Sequence, residues 1–389
     1  MQFSADSRIP MRALLAGARQ KQGDLLKLIR ELVLAESPSD DKASVDSCMA
    51  IAAAQARKLG GRVKLHRQRQ RADILEARFG PRSTRSRDHE VPAMLLGHLD
   101  TVWPLGTLKT MPCRENGGRV WGPGTLDMKA GVAMAFTALA LLNEANLLRR
   151  EVVLLLNGDE EIGSAHSRPV IEQVAKECAA VYVLEPAQGL ACKTARKGVA
   201  GWRIEVRGIA AHAGVDFEKG ASAIRELARV IEKVSGYTNL KRGLTVSVGV
   251  ASGGTKSNVI PAEAWAEVDV RIPRMADGPR LARKFAALKP ADPRCKLIVT
   301  GAINRPPMER SRGTVRLYRK ARSLAAELGF VLNEASTGGG SDGNFTAALG
   351  IPTLDGLGAV GEGAHARHES VVIEHLAPRT ALLAGLLIG

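Results

Sequence analysis

Aromatic side chains are scarce in this chain: Phe, Trp and Tyr make up 4% of its 389 residues. A base-stacking platform for single-stranded nucleic acid interleaves aromatics with basic residues, and no such interleaving is present, so nucleic acid is not an expected partner. Cysteines are few, five in all (Cys48, Cys113, Cys178, Cys192, Cys295), odd in number and without a C-x-x-C pair. That argues against a disulfide framework or a cysteine-held zinc and fits inert buried thiols in a reducing compartment. No uninterrupted apolar stretch approaches the roughly 18 residues of a membrane helix, so no membrane partner is expected. A basic start followed by a long apolar run is missing too, which points to a cytoplasmic location, although an already-processed chain would look the same. Acidic residues are in deficit, 40 against 55 Lys plus Arg, for a net charge of +15. Nine of the basic residues fall between Arg62 and Arg87, opposed only by Asp73 and Glu76. That patch reads mostly as a solvated face, with polyanion binding the lesser alternative.

What is present is an ordinary globular composition, 45% hydrophobic and 24% charged, long enough for two or three domains. Leu25, Ile29, Leu32 and Val33 fall at helical spacing within a segment from about Leu14 to Val33, and a second helix is predicted over Ala43–Arg57. Val63 and Leu65 alternate with basic residues as in a half-exposed strand, with Ile74–Phe79 as a hairpin partner. After the polar stretch Pro81–Glu90, short apolar runs at Ala93–Leu96, Val152–Leu156 and Val181–Leu184 are separated by helix-like segments. Such runs are the signature of a mostly parallel sheet with helices on both faces. From about Val199 to Gly301 strict alternation takes over, at Trp202–Val206, Leu244–Val250 and Ala264–Ile272, with amphipathic helices near Gly220–Val234 and Gly278–Leu288 and a last strand at Leu297–Val299. Strand–helix–strand–strand–helix–strand with one polar face predicts a ferredoxin-like α+β domain. A helix at Val315–Leu328, a strand near Phe330–Leu332 and apolar Ile351–Leu354 return to the first style. The expected organisation is therefore an α/β domain over residues 1–198 and 305–389, interrupted by an inserted domain over 199–304.

Three of the predicted strands run straight into chemistry: Gly97-His98-Leu99-Asp100, Asn157-Gly158-Asp159-Glu160-Glu161, and Glu185-Pro186. Ligands of an open parallel sheet bind beyond the carboxyl ends of its strands, so these side chains converge on one rim. Asp127, in the glycine-rich loop Trp121–Asp127 ahead of a helix, can reach the same rim. One imidazole and several carboxylates brought together repel one another unless a cation lies between them. Carboxylates with imidazole suit zinc, and two ions about 3.5–4 Å apart need a bridging carboxylate. A second imidazole is expected from Gly363–Glu369, which offers His365 and His368.

These strings resemble the two-zinc peptidase and aminoacylase family that includes glutamate carboxypeptidase, acetylornithine deacetylase and succinyl-diaminopimelate desuccinylase, in the same motif order from about Leu25 to the end. The resemblance implies two Zn2+ per subunit, with Co2+ or Mn2+ as substitutes. It implies that His98, Asp127 and Glu185 hold one ion and Asp127, Glu161 and His368 the other, with Asp100 orienting His98 and Glu160 acting as general base. In the inserted domain, a lid and dimerisation module by the same resemblance, His212 of Ala210–Gly214 matches the histidine that stabilises the oxyanion. Asn258 and Arg271 match groups that bind the substrate's carboxylate, with Arg305 a further candidate and Gly340 part of the backbone lining the pocket. Arg271 also falls on the polar face opposite Val270 and Ile272, where its alternative role is an exposed salt bridge. The implied reaction is hydrolysis of an amide next to a free carboxylate, in a peptide or N-acyl amino acid, with Glu185 and the run Gly338–Asp342 pointing to the glutamate carboxypeptidase branch. An N-deacetylase or desuccinylase is the near alternative, and a homodimer through the inserted domain is implied.

Two other patterns compete. Gly249–Lys256 resembles a phosphate loop, but Thr255 precedes Lys256, so the Gly-Lys-Ser/Thr order fails. Gly339–Gly343 satisfies G-x-S-x-G around Ser341, with Asp355 and His368 following in the order of a serine-hydrolase triad. Glycines rather than an apolar strand precede Ser341, and a triad would leave the strand-end acids without a purpose. There is no H-E-x-x-H. A catalytically silent basic binding protein on the same scaffold is the alternative of another class.

Overall fold

The computed structural model describes residues 11–81 and 91–388; Arg82, Arg85, Arg87 and the polar stretch around them lie outside. The chain divides into two compact units. One runs to Ala195 and resumes over Arg310–Ser336 and from Ser341; the other takes Arg196–Glu309 and Thr337–Gly340. The second unit thus holds a few residues more at each end than its alternating strands predict, and the short segment Thr337–Gly340 as well. Buried Arg196 explains part of this, since its guanidinium donates to the carbonyls of Gly339 and Gly340 at 3.2 and 3.0 Å.

The first unit is built on a sheet in the order Arg62–His66, Ile74–Phe79, Val152–Asn157, Ala93–His98, Ala180–Val183, Thr353–Leu354. The last four strands are parallel, while the first two form an antiparallel hairpin that joins antiparallel to Val152–Asn157, so the sheet is mixed. Both faces are covered. Leu95, Leu154, Leu156 and Tyr182 point into the larger core with the helices Ala130–Glu144 and Leu376–Leu387. Their neighbours Met94, Leu96, Val153, Leu155 and Val181 pack on Ile171, Val174 and Ala175 of the helix Arg168–Ala175. Two-sided burial is why these strands read as continuous apolar runs. Each such side chain contributes about 1.5–3 kcal/mol, which makes the strand ends rigid anchors for the loops that leave them.

Several expectations shift. The N-terminal helical segment is two helices, Met11–Gln20 and Gln22–Leu34. The strand expected near Phe330–Leu332 is Glu334–Thr337 instead; Leu332 is buried outside any strand, its carbonyl accepting from the Tyr318 hydroxyl at 3.3 Å. One segment, Thr125–Glu144, is long and apolar enough on average to cross a membrane although Asp127 and Lys129 interrupt it, so the absence of an uninterrupted run still holds. Of its apolar window, 89% is buried within the fold, as a core helix. In the basic patch, Arg62 pairs with Glu151, Arg67 with Asp73, and Arg78 with Glu76, Glu151 and Glu177.

The second unit is a four-stranded antiparallel sheet in the order Thr245–Gly253, Glu263–Ile272, Gly198–Arg207, Lys296–Arg305. With the helices Ala223–Ser235 and Asp277–Ala286, this is the ferredoxin-like arrangement. Trp202, Ile204, Val268 and Val270 meet Leu227, Val230 and Phe285 in its core, where Trp202 stacks on Phe285 with centroids 4.2 Å apart.

Candidate metal centre

His98 is the last residue of the central strand Ala93–His98, and its side chain is 1% exposed. Its Nε2 lies 3.3 Å from Asp127 Oδ1 and 3.7 Å from Glu185 Oε1, Glu185 following the strand Ala180–Val183. The opposite oxygen of Asp127, Oδ2, is 3.4 Å from His365 Nε2, which is 3.2 Å from Glu161. Asp127 therefore stands between two half-sites, His98 with Glu185 and His365 with Glu161. Ligand atoms of His98, Asp127 and Glu161 lie within 4.8 Å of one another, as do those of His98, Glu160 and Glu185. Glu185, Glu160–Glu161 and His98 reach this rim because three adjacent parallel strands end there.

The supporting groups are as specific. Asp100 is fully buried: Oδ1 accepts from Glu160 N at 3.2 Å and lies 3.3 Å from His98 Nδ1, while Oδ2 accepts from Glu161 N at 3.1 Å and Ser39 Oγ at 2.7 Å. Asp100 thus fixes both an imidazole, its backbone carbonyl lying 3.0 Å from His98 Nδ1, and, through its carboxylate, the turn bearing two acids. The loop before Asp127 depends on Gly124, which has φ +70° and sits so close to Thr101 that no Cβ would fit. The Asp127–Met128 peptide is cis. Glu369, buried, accepts from the backbone of Gly124, Leu126 and Asp127 and from the Trp103 indole. Buried Lys129 donates to Ala35 O at 2.9 Å, and burial holds its pKa below the ordinary lysine value.

The electrostatics call for positive charge. Burial works against a charged His98, yet Asp100 and Asp127 outweigh it and hold its pKa well above the ordinary value. Asp127 and Glu161 push the His365 pKa up to about 10. Burial opposes ionisation of Asp127, but His365 and His98 keep its pKa below the usual carboxylate range; burial raises that of Glu161. His98 Nε2 and Asp127 Oδ1 are buried and lack a hydrogen-bond partner, a costly arrangement that a divalent ion between them relieves. The donors present fit such an ion.

His368, expected as the last ligand, is not the histidine that meets the other donors. Both histidines of this loop are exposed, but His365, at φ +62°, lies against Asp127 and Glu161, whereas His368 packs beside Gly363. The hairpin Gly361–Glu362/Ser370–Val372 leaves a loop over 363–369 with no periodicity from which sequence could choose between two histidines. Asp159 turns away from the rim, accepting from His166 N and Ser167 N at 2.9 and 3.3 Å. Ser341 is buried, its hydroxyl donating to Asp355 at 2.5 Å, with exposed His368 on a separate loop, so the triad arrangement is not formed. Ser39, Glu369 and the placement of His365 escaped sequence reasoning; an acid directly after the histidine-rich loop was the one available signal for Glu369.

His212, Asn258, Arg271, Arg305 and Gly340 all belong to the second unit. His212 pairs with Val259 in a two-stranded ribbon, and Ala213 N donates to Asn258 O at 3.0 Å, which brings His212 and Asn258 together; both are exposed. Arg271 and Arg305 flank Val199 in one row across three strands, on the sheet face away from the core. The Arg271 guanidinium is held by both oxygens of Asp269 at 2.9 and 3.0 Å, the salt bridge that was its alternative role. Gly340 packs against Val199 and buried Arg305.

Comparison with known proteins agrees with this geometry. The model of peptidase family M20/M25/M40 matches residues 94–388. Carboxypeptidase G2 of Pseudomonas sp. (strain RS-16) is 32% identical over 76% of this chain and 72% of its own. A succinyl-diaminopimelate desuccinylase of Cereibacter sphaeroides is 28% identical over 75% of this chain and 81% of its own. Among solved structures, the aminopeptidase PepT of Bacillus cereus superposes with a TM-score of 0.77 at 25% identity, covering 94% of this chain and 98% of that one. The Bacillus subtilis YXEP protein, described as a dinuclear metal binding peptidase, shares the fold with a TM-score of 0.67 at 17% identity over 95% and 98% of the two chains. This chain belongs to peptidase family M20/M25/M40 and is a hydrolase of the metallopeptidase and amidohydrolase type.

Proposed function

We propose that the protein uses two zinc ions to cleave the amide bond between a C-terminal residue, glutamate-like by preference, and the rest of a peptide or an acyl group. The observation that carries this reading is Asp127, which faces an imidazole on each side and has a buried oxygen without a hydrogen-bond partner. His98, Glu185 and Asp127 would hold one ion, and Asp127, Glu161 and His365 the other; Co2+ or Mn2+ would suit the same donors. Bound there, the metal pair supplies a polarised scissile carbonyl and a more acidic water. Glu160 takes the proton at its carboxylate and returns it to the leaving nitrogen. Its backbone N–H rests on Asp100, so the base is positioned by the same residue that orients His98.

In the second unit His212 is assigned to the oxyanion and Asn258 and Arg271 to the substrate's carboxylate, for which a guanidinium offers bidentate recognition. Arg305 and the Gly340 backbone complete that group. The sheet edge Thr245–Gly253, with Val250 49% exposed, supports a homodimer formed through this unit. Light scattering that finds only monomer would remove the dimer without touching the metal centre. The decisive test is a panel of dipeptides, N-acetyl and N-succinyl amino acids, assayed after chelation and after zinc is restored. Activity should vanish and return, be greatest with acidic C-terminal residues, and survive a serine-acylating reagent. Absence of zinc-dependent amidase activity across the panel would favour a catalytically silent binding protein.

A further inference from the structure

We infer that Glu369 is a positioning residue that sets the spacing between the two metal half-sites by clamping three ligand-bearing segments onto one buried carboxylate. The inference rests on the two-metal reading above. Glu369 is 1% exposed. Its Oε1 accepts from Leu126 N at 2.9 Å and Asp127 N at 3.1 Å; its Oε2 accepts from Gly124 N and from Trp103 Nε1, both at 2.9 Å. Its own carbonyl accepts from Gly122 N at 3.3 Å.

Each donor belongs to a segment that carries a site residue. Trp103 lies on the chain leaving His98 and Asp100. Gly122–Asp127 is the loop that presents the central carboxylate. Glu369 itself closes the loop that presents His365. The 3.4 Å approach of His365 Nε2 to Asp127 Oδ2 therefore depends on two loops that meet at Glu369. An apolar side chain could fill the same space, but only an acceptor of four hydrogen bonds fixes the direction of the Asp127 N–H and hence of the peptide from which its carboxylate hangs. A buried carboxylate is tolerable there because it is so fully satisfied. Glu369 touches neither substrate nor reacting atoms in this arrangement; it acts through Asp127 and His365.

Glu369→Gln discriminates well. Each oxygen takes two N–H donors, so whichever one becomes NH2 faces two donors and loses both bonds. Removing an outer partner of a metal ligand typically weakens binding about 10–100-fold. We expect Glu369→Gln to keep the wild-type far-UV circular dichroism, to bind zinc at least tenfold more weakly in competition with a chromophoric chelator, and to shift the visible spectrum of the Co2+-loaded protein. Two ions bound with unchanged affinity and spectrum would overturn the role of Glu369 alone. A wild-type protein that takes up neither zinc nor cobalt would instead sink the two-metal reading, and this inference with it. Should Glu369→Gln fail to fold, Trp103→Phe removes a single donor: a shifted cobalt spectrum with severalfold weaker zinc binding supports the clamp, and wild-type values for both overturn it.

Discussion

The sharpest test of the metal centre is a pair of substitutions three residues apart. His365→Ala removes the imidazole that lies against Glu161 and Asp127, at 3.2 and 3.4 Å. Losing an outer partner of a metal ligand typically weakens binding about 10–100-fold, so losing a ligand itself should weaken one of the two ions by about a hundredfold or more. His368→Ala touches an exposed side chain, and surface changes of that kind stay within about 0.5 kcal/mol, roughly twofold. Zinc content after dialysis, chelator competition and turnover at limiting zinc would measure both. His365→Ala should retain one tightly bound ion and lose most turnover, partly restored by excess zinc, while His368→Ala should match the wild type. If His368→Ala loses the ion and His365→Ala keeps it, the reasoning from this geometry is wrong.

Glu160→Gln should lower kcat about 10²–10⁴-fold while both ions stay bound; loss of zinc from that variant would make Glu160 a ligand instead of a base. The pKa of His365, raised from 6.5 to about 10 beside Asp127 and Glu161, makes its stabilising contribution to the metal-free protein complete below about pH 6.5 and lost as pH rises toward 10. The thermal midpoint of metal-free protein should fall across that window while zinc uptake strengthens and releases protons; a flat midpoint would contradict the charge balance described. Arg271→Met should raise KM about 10–100-fold for substrates with a free carboxylate and leave their amidated analogues unaffected, since a hydrogen bond to a charged group contributes about 1.5–3 kcal/mol. Equal effects on both substrate classes would return Arg271 to the role of a partner for Asp269.

Much of this protein is written locally. Strands buried on both faces, such as Val152–Asn157, must be apolar throughout, and half-buried ones such as Glu263–Ile272 must alternate, so burial leaves its period in the chain. Because parallel strands end at one rim, His98, the Glu160–Glu161 pair and Glu185 could be gathered from three distant stretches. Loops carry no period. Which histidine of residues 363–369 turns inward, and that Glu369 and Ser39 reach across to the Asp127 loop and to Asp100, depends on contacts more than 60 residues apart in sequence, |i−j| being 61 for Ser39 and 242 for Glu369 with Asp127 N. The same holds for the unit boundary, where Arg196 draws Gly339 and Gly340 to itself across 143 and 144 residues. Sequence by itself determined the strands and the acids and imidazole at their ends. Tertiary structure alone decided which side chains hold those ends in place, because a hydrogen bond between distant loops imposes no pattern on either partner's neighbours.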